Sequence, residues 1–242
     1  MGKIDDIQAY KEWTEYHRSL KRDKAADNLS PVERKKKLEK LEANVIEWIL
    51  FFFSEFAKYP FTKFHKKAIK RITTNMEWYE VLSWSRELAK STIVFMCMMY
   101  LVLTGKKKNV LLISNSHENA VRLLEPYKKA FESNSMLKAY YGDLREFGSW
   151  TADEFTLTTG ATFRAIGALE SPRGTRKDAV RPDTALVDDF DTDADCRNPD
   201  ILKKKWEWFE EALFPTRSIS EDLLVIFCGN LIALDCCVKR AG

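Results

Sequence analysis

Hydrophobic and polar positions divide the chain into two textures. Up to about residue 57 the pattern is helical: Lys, Glu, Ala and Leu dominate, and no glycine follows Gly2. Ser30-Pro31-Val32-Glu33 reads as a helix start, with Ser as N-cap, Pro at the first helical position and Glu at the third. The helix it opens carries Arg34-Lys35-Lys36-Lys37 and turns apolar from Val45 to Phe56. From Tyr59 onward short apolar runs alternate with helical segments, the pattern of a parallel sheet covered on both faces. The runs predict strands over Tyr79–Trp84, Asn109–Ser114, Thr184–Val187 and Leu223–Cys228, and a hairpin of Phe155–Leu157 with Thr162–Ile166 around Thr159-Gly160. Helices are predicted over Lys90–Leu103, His117–Asn134 and from Asn198-Pro199-Asp200 to about Phe214. Residues 171–183, polar and basic with Gly174 and two prolines, read as a loop.

At 45% hydrophobic and 31% charged, the 242 residues exclude a disordered chain, a collagen-like chain and a coiled-coil rod. The length supports one large domain, or a domain with an appendage. The net charge of +3, from 39 basic and 36 acidic residues, means that any phosphate-binding surface is a local patch. Five cysteines, at 97, 196, 228, 236 and 237, are odd in number and fit no zinc module. They predict a reduced, cytosolic protein, with Cys97 and Cys228 in the core. The first residues are polar and charged, so no signal peptide is expected. The longest apolar run, Ile93 to Leu103, is shorter than the ~20 residues of a membrane helix, and no membrane partner is expected.

Three segments carry candidate chemistry. Ser85-Arg86-Glu87-Leu88-Ala89-Lys90-Ser91-Thr92 joins a strand to a buried helix, the setting of a phosphate-binding loop. There backbone N–H groups and the helix N-terminus cradle phosphates, the Lys neutralises them, and a hydroxyl holds Mg2+. The regular pattern has glycines where Trp84 and Ala89 stand, and an Ala-Lys-Ser before an apolar helix also serves as an ordinary helix start. Ala185-Leu186-Val187-Asp188-Asp189 delivers two carboxylates at the end of an apolar strand, the edge of a parallel sheet where ligands bind. The first can hold Mg2+ and the second can orient an attacking water, though Asp-Asp also occurs as a turn or cap. Ile226-Phe227-Cys228-Gly229-Asn230 ends in an amide that can sense a terminal phosphate, or in a plain Gly-Asn turn.

Together these residues resemble the ATPase domain of the large terminase subunit of tailed bacteriophages, the DNA-packaging motor. That family's loop begins Ser-Arg-x-x-Gly-Lys-Thr-Thr, and residues 85–92 follow it except for Ala89 at the Gly position and the like hydroxyl of Ser91 at the first Thr. Ser171-Pro172-Arg173-Gly174, Arg181-Pro182-Asp183 and Leu186-Val187-Asp188-Asp189 are similar to the run into the family's acidic strand. Asn198-Pro199 with Trp206-Glu207-Trp208-Phe209 also looks like the family. Pro60-Phe61 to Phe64-His65 resembles its adenine-side segment, with His65 where Gln is common. The resemblance covers roughly residues 59 to 235. It implies an α/β, RecA-like P-loop ATPase of the additional-strand type with a mostly parallel central sheet. On this reading residues 1–58 form a helical N-terminal appendage and residues 59–242 the ATPase domain, with the family's C-terminal nuclease domain absent from this chain.

The implied cofactors are ATP and Mg2+. Residues 85–92, His65 and Asn230 would surround the nucleotide, with Lys90 on the β- and γ-phosphates. Ser91 and Asp188 would hold the metal and Asp189 would be the base. Arg86 would be an arginine finger from the same chain, and Arg173 one reaching a neighbouring subunit. The implied partners are double-stranded DNA, further copies of the chain in a homo-oligomeric ring, a portal and a small terminase subunit, all in the cytoplasm of an infected bacterial host. Lys106-Lys107-Lys108 and Lys203-Lys204-Lys205 are candidate DNA contacts, each also readable as solvated surface. Ala89 puts a Cβ where the phosphates approach. Asp189 stands where the longer Glu is commoner, so its water must sit closer or Asp191 must help. Two other classes remain: a helicase half-domain, and a non-enzymatic DNA-binding or scaffold protein with a decayed nucleotide site.

Overall fold

The computed structural model describes residues 29–57, 59–172, 181–217 and 222–242. In chain order they form α1 (Pro31–Glu42), α2 (Val45–Phe52), α3 (Lys63–Thr74), β1 (Trp78–Leu82), α4 (Lys90–Leu103), β2 (Asn109–Ser114), α5 (His117–Ser133) and α6 (Ser135–Tyr141). There follow β3 (Arg145–Trp150), β4 (Glu154–Leu157), β5 (Thr162–Gly167), β6 (Thr184–Asp188), α7 (Asp193–Cys196), α8 (Pro199–Glu207), β7 (Leu224–Cys228) and α9 (Cys237–Ala241). The seven strands form one sheet in the order β1-β7-β6-β2-β5-β4-β3. The first five run parallel, and β4 and β3 are added antiparallel at one edge.

Strand alternation explains why the predicted runs are apolar throughout. Successive side chains point to opposite faces, and here both faces are covered. Val110, Leu112, Leu186, Leu224 and Ile226 join the core beneath α2–α5. Leu111, Ile113, Ala185, Val187, Val225 and Phe227 join the other, with Leu202, Phe209 and Cys237. Helix α4 is buried at every position from Ile93 to Val102, so its sequence shows no polar face. Cys97 and Cys228 are buried as expected, and all five cysteines are free thiols. No helix among the described residues is long and apolar enough to cross a membrane.

Several expectations change. The Ser30 capping box is present, but the helix it opens is two helices. Asn44 turns extended and accepts from the Ile46 and Glu47 amides, capping a new helix. The break turns the apolar run into the core, where Trp48 meets Tyr100 at 5.3 Å and Phe53 meets Phe95 at 5.3 Å between ring centroids. The helix capped by Asn198 extends as expected but unwinds into a π-helical turn over Trp208–Leu213 and a 3-10 turn over Phe214–Thr216. Neither lysine run is simply a solvated surface. Lys107 is buried, and its Nζ donates to the Asp183 and Asp222 carbonyls at 3.0 and 2.8 Å. Lys205 is buried, and its Nζ donates to Phe190 O at 2.5 Å and Asp195 Oδ2 at 2.6 Å. Both ammonium groups are held by acceptors from other segments and are not available to DNA. Most of the loop over 171–183, with Arg173, lies outside the described residues.

Candidate functional site

The C-terminal ends of β1, β7, β6 and β2 meet at one edge of the sheet. After β1, residues 83–89 turn back to start α4 at Lys90. Glu87 (φ 69°) and Ala89 (φ 57°) take the left-handed conformation that a glycine adopts without penalty. The loop therefore keeps its curvature without the glycine of the regular pattern. Helix α4 has no side-chain cap, unlike α1, α2, α5 and α8, which Ser30, Asn44, Ser116 and Asn198 cap. Its first-turn N–H groups, which have no partner within the helix, are left to whatever the loop surrounds.

Lys90 is buried, and its Nζ donates to Trp84 O at 2.6 Å, Ser85 O at 3.3 Å and Asn230 Oδ1 at 2.9 Å. Asn230 reaches it because Gly229 N donates to Leu82 O, continuing the β1–β7 pairing to the edge. Ser91 Oγ donates to Asp188 Oδ2 at 2.6 Å. Three of the sequence-derived elements thus meet at two hydrogen bonds, although β7 lies between β1 and β6. Burial pushes the Asp188 carboxyl up to about 6; the Ser91 bond opposes this and the neighbouring Asp189 charge adds to it. Asp189 has φ 45°, a turn that swings it out of the strand direction and leaves it exposed beside Asp188.

These groups border a cavity of about 1000 Å³. Residues 86–92, Asp188, Asp189 and Asn230 line it, so most of the predicted set is brought together. Ser85 contributes its carbonyl to Lys90 without lining the cavity. His65 lies outside the lining and braces the loop from behind. Thr62 N donates to its Nδ1 at 3.3 Å, which leaves the proton on Nε2, 3.2 Å from Leu88 O. Burial lowers the His65 pKa, against the Leu88 bond, and so favours this neutral ring. Asp191 borders the cavity but is already engaged, its Oδ2 accepting from Cys237 N at 2.5 Å while Oδ1 is buried with no partner among the described residues. Asn115, Asn119 and Arg122 form a wall that the sequence pattern did not reveal. Their signal was positional: they follow β2, which ends at the same edge.

The class defined by these observations is an α/β protein with a mixed, mostly parallel seven-stranded sheet, compatible with a Rossmann-like or RecA-like fold. Compared with models of known protein families and with curated proteins, the chain matches none.

Proposed function

We propose that the chain is a nucleoside triphosphatase of RecA-like P-loop type that drives double-stranded DNA movement, the activity implied by its resemblance to the large terminase subunit. The observation that carries this reading is the pair of contacts Lys90–Asn230 and Ser91–Asp188 at the open N-terminus of α4. The strand order supports it too, since β7 stands between the loop strand and the acidic strand as an additional strand would.

The residues fit a magnesium nucleotide. The donors beside the loop are a hydroxyl and carboxylates, hard oxygen ligands suited to Mg2+. Among the described residues no group of three or more His, Cys, Asp or Glu side chains is placed to hold a metal ion. Mg2+ does not need one, because it commonly takes one or two carboxylates and completes its shell with water and substrate phosphates. Ser91 and Asp188 would hold it, and its chemistry would be neutralisation of phosphate charge. The α4 N–H groups and the Lys90 ammonium would bind the phosphates. Lys90 would exchange its carbonyl acceptors for phosphate oxygens while Asn230 keeps it in place. Asp189, exposed at the cavity and turned away from the strand, would orient and deprotonate the attacking water. Arg86 would stabilise charge from the loop itself.

A second reading, a non-catalytic DNA-binding protein with a decayed site, is favoured by one observation: Lys90 already satisfies its ammonium on three protein oxygens. Titration of a fluorescent ATP analogue with Mg2+ separates the two. The motor reading expects saturable binding by wild type and its loss in Lys90→Ala, with both proteins melting cooperatively. Equal affinities, or no binding by wild type, overturn it.

A further inference from the structure

We infer that the outer face of α3 is a docking surface for the phosphate backbone of duplex DNA. The inference deepens the function proposed above by naming where the duplex sits. Lys63, Lys66, Lys67 and Lys70 are all exposed on this helix. Spacings of three and four residues put them on one side, along about 10 Å at ~1.5 Å rise per residue. The helix carries no acidic residue. Its fifth cation, Arg71, is neutralised by the buried carboxylate of Glu80. None of the four lysines makes an ion pair or side-chain hydrogen bond among the described residues.

The net charge of the chain is only +3, so this is a local concentration of charge rather than a reflection of the whole. The basic run of α1 differs, because Glu33, Glu39 and Glu42 are interspersed with it and Lys37 lies over the Phe51 ring. The runs Lys106-Lys107-Lys108 and Lys203-Lys204-Lys205 are each compromised by a buried member, Lys107 or Lys205. A linear array of ammonium groups with no acidic partner among the described residues complements a duplex, which carries one negative charge per ~1.7 Å of axis.

An anionic membrane is the poorer match. Interfacial helices insert an apolar face, whereas Ala68, Ile69 and Ile72 of α3 are fully buried in the protein core. The position of the helix also connects the two substrates. Its first turn abuts the phosphate loop through His65 and Leu88, and Phe64 packs edge-on against Trp84 at 4.8 Å. A duplex lying along the lysines would press on the element that braces the loop.

The test is fluorescence anisotropy of a labelled 30-base-pair duplex of arbitrary sequence, with the full chain, no nucleotide and a series of salt concentrations. The quadruple variant Lys63→Gln/Lys66→Gln/Lys67→Gln/Lys70→Gln is expected to weaken binding at least about tenfold at ~0.1 M salt. It should also flatten the plot of log K against log salt by about 3–4, since each phosphate that a lysine neutralises adds about 0.9 to the slope. The corresponding four-fold Lys→Arg variant should retain binding, and Lys35→Gln/Lys36→Gln/Lys40→Gln on α1 should change it far less. An unchanged slope in the α3 variant, an equal loss in the α1 variant, or no duplex binding by wild type overturns the inference. So does binding to phosphatidylserine vesicles, but not to duplex, that depends on the same lysines. Because the assay contains no nucleotide, it reads the α3 surface, whereas the ATP-analogue titration reads the phosphate loop, so failure here is distinguishable from failure of the triphosphatase reading.

Discussion

The left-handed backbone at Ala89 makes a prediction of unusual sign. Ala→Gly substitutions normally destabilise, because glycine has more freedom to lose on folding, by about 0.5–1 kcal/mol. At φ 57° and ψ 29° the native alanine already carries the clash between its Cβ and the backbone, a cost of roughly 1–2 kcal/mol. Ala89 is exposed, so removing its methyl opens no cavity. The strain relieved exceeds the entropy lost, and Ala89→Gly should gain about 0.5–1 kcal/mol. For a domain of this size that raises Tm by about 1–4 °C. Ala139, exposed within α6, is the matched control, where the same change is expected to cost about 1 kcal/mol and lower Tm. Thermal and urea unfolding of the two variants beside wild type decide it. If both variants lose stability equally, the loop does not hold Ala89 left-handed and the argument fails. Under the proposed function Ala89→Gly should also bind the nucleotide analogue at least as tightly as wild type.

Two more outcomes are expected. Under the proposed function, Asp189→Asn removes the base while keeping its shape, so nucleotide binding should survive while hydrolysis falls about 10²–10⁴-fold; a larger loss in Asp191→Asn would move the role to that residue. Burial alone would raise the Asp195 carboxyl, but hydrogen bonds from Lys205 and Thr192 outweigh it and hold its pKa below the ordinary 3.8. A lowered folded-state value contributes stability that is present above about pH 4 and lost as pH falls through it. Asp195→Asn should therefore be less stable than wild type at pH 7, with the difference shrinking in urea melts below about pH 4; a gap constant with pH would refute the ion pair's contribution.

Much of the architecture was legible because local pattern and element coincide. The apolar runs at Asn109–Ser114 and Lys90–Leu103 have the bounds expected of them, since a strand buried on both faces and a helix buried all round from Ile93 to Val102 leave no polar position inside the run. The carboxylates of Asp188 and Asp189, and Lys90, were recognisable from their places at the ends of such runs. Strand β3 was not, because Arg145–Trp150 is an edge strand with Phe147 fully exposed, so its composition does not alternate towards a core. The break at Asn44 was missed because local capping by one side chain overrode a helical composition.

What sequence pattern determined was where each element lies and which faces it buries, since those follow from residue spacing within a few turns. Only the tertiary structure decided which elements meet. Lys90 and Asn230 are 140 positions apart, and Ser91 and Asp188 are 97 apart. Their contacts depend on β7 inserting between β1 and β6, which no local spacing encodes. The same holds for the fates of the lysines. Within Lys106-Lys107-Lys108 three identical side chains follow one another and no periodicity marks which is buried, while in Lys203-Lys204-Lys205 the spacing to Leu202 and Phe209 marks the face of Lys205 but not the acceptors it meets there. Lys107 is chosen by carbonyls arriving from distant parts of the chain, and Lys205 by the Phe190 carbonyl and the Asp195 carboxylate of the segment just before its own helix, because a buried ammonium group is tolerated only where the fold supplies acceptors for it.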